Sequence, residues 1–231
     1  INRNKIFHIP HGLDINEFDK NTGLEDDILD DRLNKLLDNN FCVTYTGSLS
    51  KSEGLPTLVE AAKYLEDIEN MKIVIIGNGS EKQKLKNIIE NENLDNVVMI
   101  ERQPENKIPL ILKKSDILFC GLMERKAFKY GISKNKFYDY MAAEKPIIFA
   151  SSVRDSLIDK AEAGITIKPH EPKNLANTIR YLYNNIDILG KQYGRNGREY
   201  VEKYHTVDKI ASSFLEVIDY TYGIIDNSSN R

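Results

Sequence analysis

Five basic residues, Arg125, Lys126, Lys129, Lys134 and Lys136, fall between positions 125 and 136, with Glu124 the one acid close by in sequence. Such a stretch is a candidate anion site. The segment that follows, "SKNKFYDYMAAE", reads as a helix, which places Lys134 and Lys136 in its first turn. There the helix macrodipole disfavours cations by a few tenths to ~1 kcal/mol each. Ser133 is suited to cap this helix. An anion seated at the cap would remove the penalty, because free backbone N–H groups and both lysines would face it. Asn135 and Asp139 are four apart and share a helix face, so the Asp139 carboxylate sits one turn below that anion. A phosphate at the cap and a sugar diol on Asp139 is the arrangement a nucleotide needs. A lysine-rich surface loop with no ligand is the other reading of the same residues.

Two further loops have the composition of ligand sites. In "TGSLSKSEG", residues 46–54, Gly47 and Gly54 let backbone approach a ligand while Ser48, Ser50 and Lys51 offer donors. It lacks the Gly-Lys-Ser/Thr of a phosphate-binding P-loop, and a plain turn between strand and helix accounts for it as well. In "GNGSEKQKL", residues 77–85, Gly77 and Gly79 match the start of a dinucleotide fingerprint, but Lys82 stands where its third glycine belongs. Turn packing, with Ser80 as an N-cap, explains this segment equally well.

These loops need strands to carry them. Short apolar runs, "FCVTYTG", "MKIVIIG", "NVVMI", "DILFCGL", "KPIIFAS" and "GITIKP", alternate with helix-length amphipathic segments from residue 41 onward. Six strands separated by five helices predict parallel pairing with right-handed crossovers, a doubly wound, six-stranded parallel Rossmann-like α/β sheet with C-terminal helices. Ligands then bind outside the carboxyl ends of the strands, where the strand order reverses. Residues 1–20 read as an extended connector, 21–205 as the sheet domain, and 206–231 as a helix and tail. That helix repeats Val207, Ile210, Phe214, Val217 and Ile218 at helical spacing, more apolar surface than the sheet domain is expected to cover. Because the chain opens on Ile1 rather than Met, it is expected to be a piece of a longer protein.

Composition closes off other classes. A net charge of −3 gives no global attraction to nucleic acid. No apolar run reaches membrane-spanning length and no signal-peptide pattern is present. Cys42 and Cys120 each lie in a strand-like run and read as small core residues of a reducing cytosol. His8, His11, His170 and His205 are scattered, with no zinc-ligand spacing.

Taken in order, these motifs resemble the C-terminal, nucleotide-sugar-binding half of a group 1 (family 4) glycosyltransferase of the GT-B fold. "IPHGLDINEF" is similar to that family's interdomain connector, and "YTGSLSKSEGLPTLVEA" to its first loop and helix. "IVIIGNGSEKQKL", "NVVMIERQPENKIPLILKKSDILF", "KFYDYMAAEKPII" and "EAGITIKPHEPKNLANTI" resemble the segments that follow. The resemblance spans roughly residues 5–205.

The resemblance implies a retaining transfer from a nucleoside diphosphate sugar, normally without a metal or other cofactor. Asp139 falls on the second glutamate of the family's E-x7-E motif, which bonds the ribose hydroxyls. The first glutamate falls on Gly131. The family's phosphate-binding Arg and Lys fall on Ser48 and Glu53, so Gly47, Ser48, Lys51, Ser133, Lys134, Asn135 and Lys136 are expected to meet the diphosphate. Arg102 and Gln103 fall where the family contacts the base. "GISKNKFYDYMA" resembles a bacterial branch that transfers amino sugars in surface-polysaccharide synthesis, which implies a UDP-linked N-acetylated donor and a polysaccharide or lipid-linked acceptor. The acceptor site and any membrane contact would belong to an N-terminal half, so this piece alone is expected to bind without turnover, in the cytoplasm or at the inner face of the cell membrane. Two alternatives stay open. One is a non-catalytic nucleotide-sugar-binding module; the other is a nucleotide-sugar epimerase of the same fold, for which Glu101 and Glu124 are the spare carboxylates.

Overall fold

β1, Phe41–Thr46, is buried at every position after Phe41, as a strand must be when both faces of its sheet are covered. The structure, a computed structural model, describes residues 6–24, 28–124, 128, 132 and 134–229, with side chains to Tyr222. β1 pairs in parallel with β2 (Met71–Ile76) on one side and β4 (Ile117–Gly121) on the other. β3 (Val97–Ile100), β5 (Ile147–Ala150) and β6 (Gly164–Ile167) complete a six-stranded, all-parallel sheet in the order β3-β2-β1-β4-β5-β6. The order reverses between β1 and β4, which opens a crevice beyond their carboxyl ends.

Side chains alternate across the sheet with the period of two that strand geometry imposes. Val43, Tyr45, Ile73, Ile75, Ile117, Phe119 and Ile148 point to one core. It is closed by α3 (Leu55–Ala61), α4 (Lys82–Asn91) and α8 (Pro172–Asn184). Leu118, Cys120, Ile147 and Phe149 point to the opposite face, under α1 (Ile15–Thr22), α6 (Lys136–Ala142), α7 (Leu157–Lys160) and α9 (Lys191–Tyr204). Cys42, Val74 and Ile76 lie on that same side, beneath α2 (Asp31–Asn39) and α5 (Ile108–Lys114). Leu58, Ala61, Ala62 and Leu65 are fully buried as one face, as are Leu175, Ile179 and Leu182. Each such leucine or isoleucine contributes roughly 1.5–3 kcal/mol on burial. Both cysteines are buried and free within this packing.

The opening segment differs from the extended connector expected for residues 1–20. Asp14 accepts from the Glu17 N–H and starts α1, whose Phe18 enters the core. Leu13 forms a parallel bridge with Thr206, its N–H donating to the His205 carbonyl at 2.7 Å. The segment is thereby tied to the junction between α9 and the last helix, α10 (Val207–Ser229). Two more helices outside the predicted set, α2 and α9, join α1 in covering the face described above. α10 leaves Phe214 and Leu215 more than half exposed, at 53% and 59%. Among the described residues, no helix is long and apolar enough to cross a membrane.

Candidate functional site

The loop leaving β1 and the loop leaving β4 meet at the reversal in strand order. The Met123 N–H donates to the Ser52 carbonyl at 2.8 Å, which clips the two loops together. Gly77 adopts φ +153°, and a Cβ there would fall 1.8 Å from the Gly47 carbonyl oxygen. At Gly79 a Cβ would lie 2.5 Å from the Leu49 carbonyl oxygen. Packing of one loop on the next therefore accounts for the Gly-x-Gly of residues 77–79. Ser80 is not the cap of α4; Glu81 holds that position, with no side-chain bond.

Between these loops lies a cluster of Glu53, Lys134, Lys136 and Tyr45. The Lys134 ammonium donates to both Glu53 carboxylate oxygens, at 3.0 and 2.9 Å, and to the Gly121 carbonyl at 2.9 Å. The Lys136 ammonium donates to Glu53 Oε2 at 2.8 Å and to the Tyr45 hydroxyl at 3.0 Å, and sits 4.1 Å from the centre of the Tyr45 ring. Tyr45 in turn donates to the Ser48 carbonyl at 2.6 Å. The three charged side chains are 10–17% exposed. Burial alone would raise the Glu53 carboxyl, but the ammonium groups of Lys136 and Lys134 outweigh it and hold it below the ordinary carboxylate value. Burial, with the Glu53 carboxylate next, pushes Tyr45 upward, so it stays a neutral hydroxyl.

This corrects the reading in which Glu124 was the only acid near the lysines. The adjacency of β1 and β4 brings Glu53 to them across 81 and 83 residues of sequence. Relief of the lysine charge therefore does not require a bound anion. Two cations and one anion nevertheless leave a formal +1 at the crevice.

α6 begins at Lys136, with Asn135 at its cap position and no capping bond from the Asn135 side chain. Ser133, expected at the cap, lies outside the described residues, as do Arg125, Lys126, Lys129 and Gly131. The buried Tyr140 anchors the helix to the sheet, its hydroxyl accepting from the Thr46 N–H at 2.9 Å. Asp139 lies on the same helix, half-buried, and its carboxylate has no hydrogen bond or ion pair among the described residues. Burial, and secondarily the Glu105 carboxylate, pushes its carboxyl up to about 6. Glu105 belongs to the β3–α5 connection that also carries Arg102 and Gln103, so this connection borders Asp139. There Arg102 pairs loosely with Glu105 at 3.6 Å in solvent, and Gln103 donates to the Glu101 carbonyl at 3.2 Å.

The structure thus brings together Gly47, Lys134 and Lys136, since a Cβ on Gly47 would lie 3.0 Å from the Lys136 ammonium. Ser48 and Lys51 are exposed on the same loop. Neither spare carboxylate is buried: Glu101 is exposed and paired with Lys82, and Glu124 is exposed. The scattered histidines are partly gathered, with His8, His11 and His205 lining a cavity of about 660 Å³ beside Lys134 and Tyr138. Among the described residues no group of His, Cys, Asp or Glu could hold a metal ion. Tyr45, Tyr140 and the role of Glu53 escaped sequence reasoning. The one available signal was a tyrosine near the carboxyl end of a strand, next to a glycine loop.

Residues 28–200 match the family described as Glycosyl transferases group 1. The chain belongs to this family. CapM of Staphylococcus aureus, a capsular polysaccharide biosynthesis glycosyltransferase, is 25% identical over 187 residues, 78% of this chain and 46% of CapM. Among solved structures, Anabaena Alr3699/HepE in complex with UDP gives a TM-score of 0.73 at 17% identity, over 90% of this chain and 56% of that one. The C-terminal domain of the group 1 family protein LpcC from Francisella tularensis gives 0.63 at 18% identity, over 80% of this chain and 100% of that domain. At these identities the structural matches speak for the fold. The chain spans about half the length of the curated relatives it matches.

Proposed function

We propose that this group 1 glycosyltransferase chain is the donor-binding half of a retaining enzyme. It takes a nucleoside diphosphate sugar, a UDP-linked N-acetylated sugar by its branch resemblance, and serves transfer to a polysaccharide or lipid-linked acceptor. The observation that carries this reading is Asp139, a half-buried carboxylate without a partner among the described residues, on the helix that also carries Lys136. A buried charge with nothing to bond is costly and calls for a ligand donor. Two ribose hydroxyls supply such donors. The β3–α5 connection with Arg102 and Gln103 flanks the base, and Gly47, Ser48, Lys51, Asn135 and the lysine pair surround the diphosphate. UDP in the HepE complex supports this choice of nucleotide.

In the reaction the bond from the anomeric carbon to the diphosphate breaks and a bond to the acceptor oxygen forms on the same face. The acceptor proton leaves with the products. Negative charge grows on the departing UDP, and a cation fixed in a half-buried crevice stabilises that charge more in the transition state than in the ground state. No metal is needed for this step, and EDTA should leave UDP binding unchanged. The acceptor site and membrane contact are assigned to an N-terminal half, reached through residues 1–20. The exposed Phe214 and Leu215 of α10 are surface for that half to cover. One observation favours a binding module without catalysis: Glu53 stands where a family cation would be.

Calorimetry of the chain with UDP, GDP and ADP tests the proposal. Binding of UDP in the micromolar-to-millimolar range, weakened by ~1–3 kcal/mol in Asp139→Ala, is expected. Equal binding by wild type and variant would remove Asp139 from the site. Sugar transfer by this chain alone would contradict its role as a half.

A further inference from the structure

The two lysines are bonded unequally, and this divides their work. An ammonium has three N–H donors. Lys134 has three acceptors within 3.0 Å, the two Glu53 oxygens and the Gly121 carbonyl, so its hydrogen-bonding capacity is used within the protein. Among the described residues Lys136 has two, Glu53 Oε2 and the Tyr45 hydroxyl, which leaves one N–H unassigned. Its ammonium lies against Gly47, an exposed residue with no side chain to stand between that N–H and a ligand.

We infer that Lys136 is the phosphate-facing cation and that Lys134 is a positioning residue. Lys134 neutralises Glu53 and pins it to the end of β4, while Glu53 and Tyr45 hold Lys136 beside Gly47. This rests on the donor site proposed above. Glu53 is then a permanent strut of the site and does not mimic the diphosphate. Lys134 reaches the diphosphate only through electrostatics: without it, the Glu53 charge falls entirely on Lys136, and the net +1 of the cluster drops to zero. Removing Lys134 and the Glu53 charge together restores that +1 on Lys136 alone.

The test is calorimetry of the chain with UDP and with uridine, alongside thermal melts to confirm folding. Lys136→Met should weaken UDP by about tenfold or more and uridine by less than about twofold, as expected for a lost charge-assisted bond to phosphate. Lys134→Met should weaken UDP by about three- to tenfold, since the net charge facing the diphosphate falls from +1 to zero. The double variant Lys134→Met with Glu53→Gln should recover UDP affinity to within about threefold of wild type, a non-additivity typical of groups in one network. Should Lys134→Met not fold, Lys134→Gln, which keeps donors for Glu53, takes its place. A double variant as weak as Lys134→Met would mean that Lys134 touches phosphate itself. Equal losses of UDP and uridine in Lys136→Met would take Lys136 off the phosphate. Each of these overturns the inference while wild type still binds UDP; a wild-type chain that binds no nucleotide overturns the proposed function first.

Discussion

Glu53 and Asp139 are carboxylates beside the same crevice, and the fold treats them in opposite ways. Glu53 accepts from two ammonium groups and is held below its ordinary value. Asp139 has no partner among the described residues and is pushed up to about 6. The first arrangement stabilises the folded chain. The second destabilises it, which is the cost the proposed donor site would offset with ribose hydroxyls. The difference is one of pairing: the satisfied carboxylate braces the loops at the crevice, and the other has no side-chain partner among the described residues.

The largest expected effect breaks the satisfied side. Glu53→Leu leaves two mostly buried ammonium groups facing each other, and should lower unfolding free energy in urea by about 3–5 kcal/mol. On the bare side, Asp139→Asn should do the reverse. The folded-state pKa is raised, so the stability Asp139 permits is complete below its unfolded value and is lost as pH rises through about 6. The variant should therefore match wild type near pH 4 and exceed it by about 1–3 kcal/mol at pH 7, measured by urea unfolding across that range. Glu53 has the opposite sign. Its folded value is lowered, so its contribution is present above the ordinary carboxylate value and fades as pH falls through the lower folded one. A stability profile in which Asp139→Asn is no more stable than wild type at pH 7 would erase the contrast. The smallest effect belongs to Arg102→Ala. Its pair with Glu105 is solvent-exposed, and UDP affinity in calorimetry should change by less than about threefold.

What could be read from the chain follows from how local each signal is. All six strands were legible because a run such as "KIVII" has no use for its apolar residues except in a doubly covered sheet. Asp139 was legible because four-residue spacing on a helix is itself geometry. α9 was not, since Gly194 and Gly197 lower helix propensity. Packing requires at least the first of them: a Cβ on Gly194 would lie 2.1 Å from the Glu144 carbonyl oxygen. α1 rests on a single aspartate cap, Asp14, and buries only Phe18, whereas α2 did carry a signal, Leu33 and Leu37 one turn apart behind the Asp30 cap, that the reading passed over. The Glu53 cluster was invisible for a different reason. No local pattern reports a contact that exists only because β1 and β4 become neighbours.

Hydrogen–deuterium exchange of the chain with and without saturating UDP tests the central claim most directly. Slowed exchange confined to residues 47–54, 102–105 and 134–139 is the predicted result. Slowed exchange instead at residues 8–12 and 153–157, which line the cavity of His8, His11 and His205, or no change at the ends of β1 and β4, would contradict it.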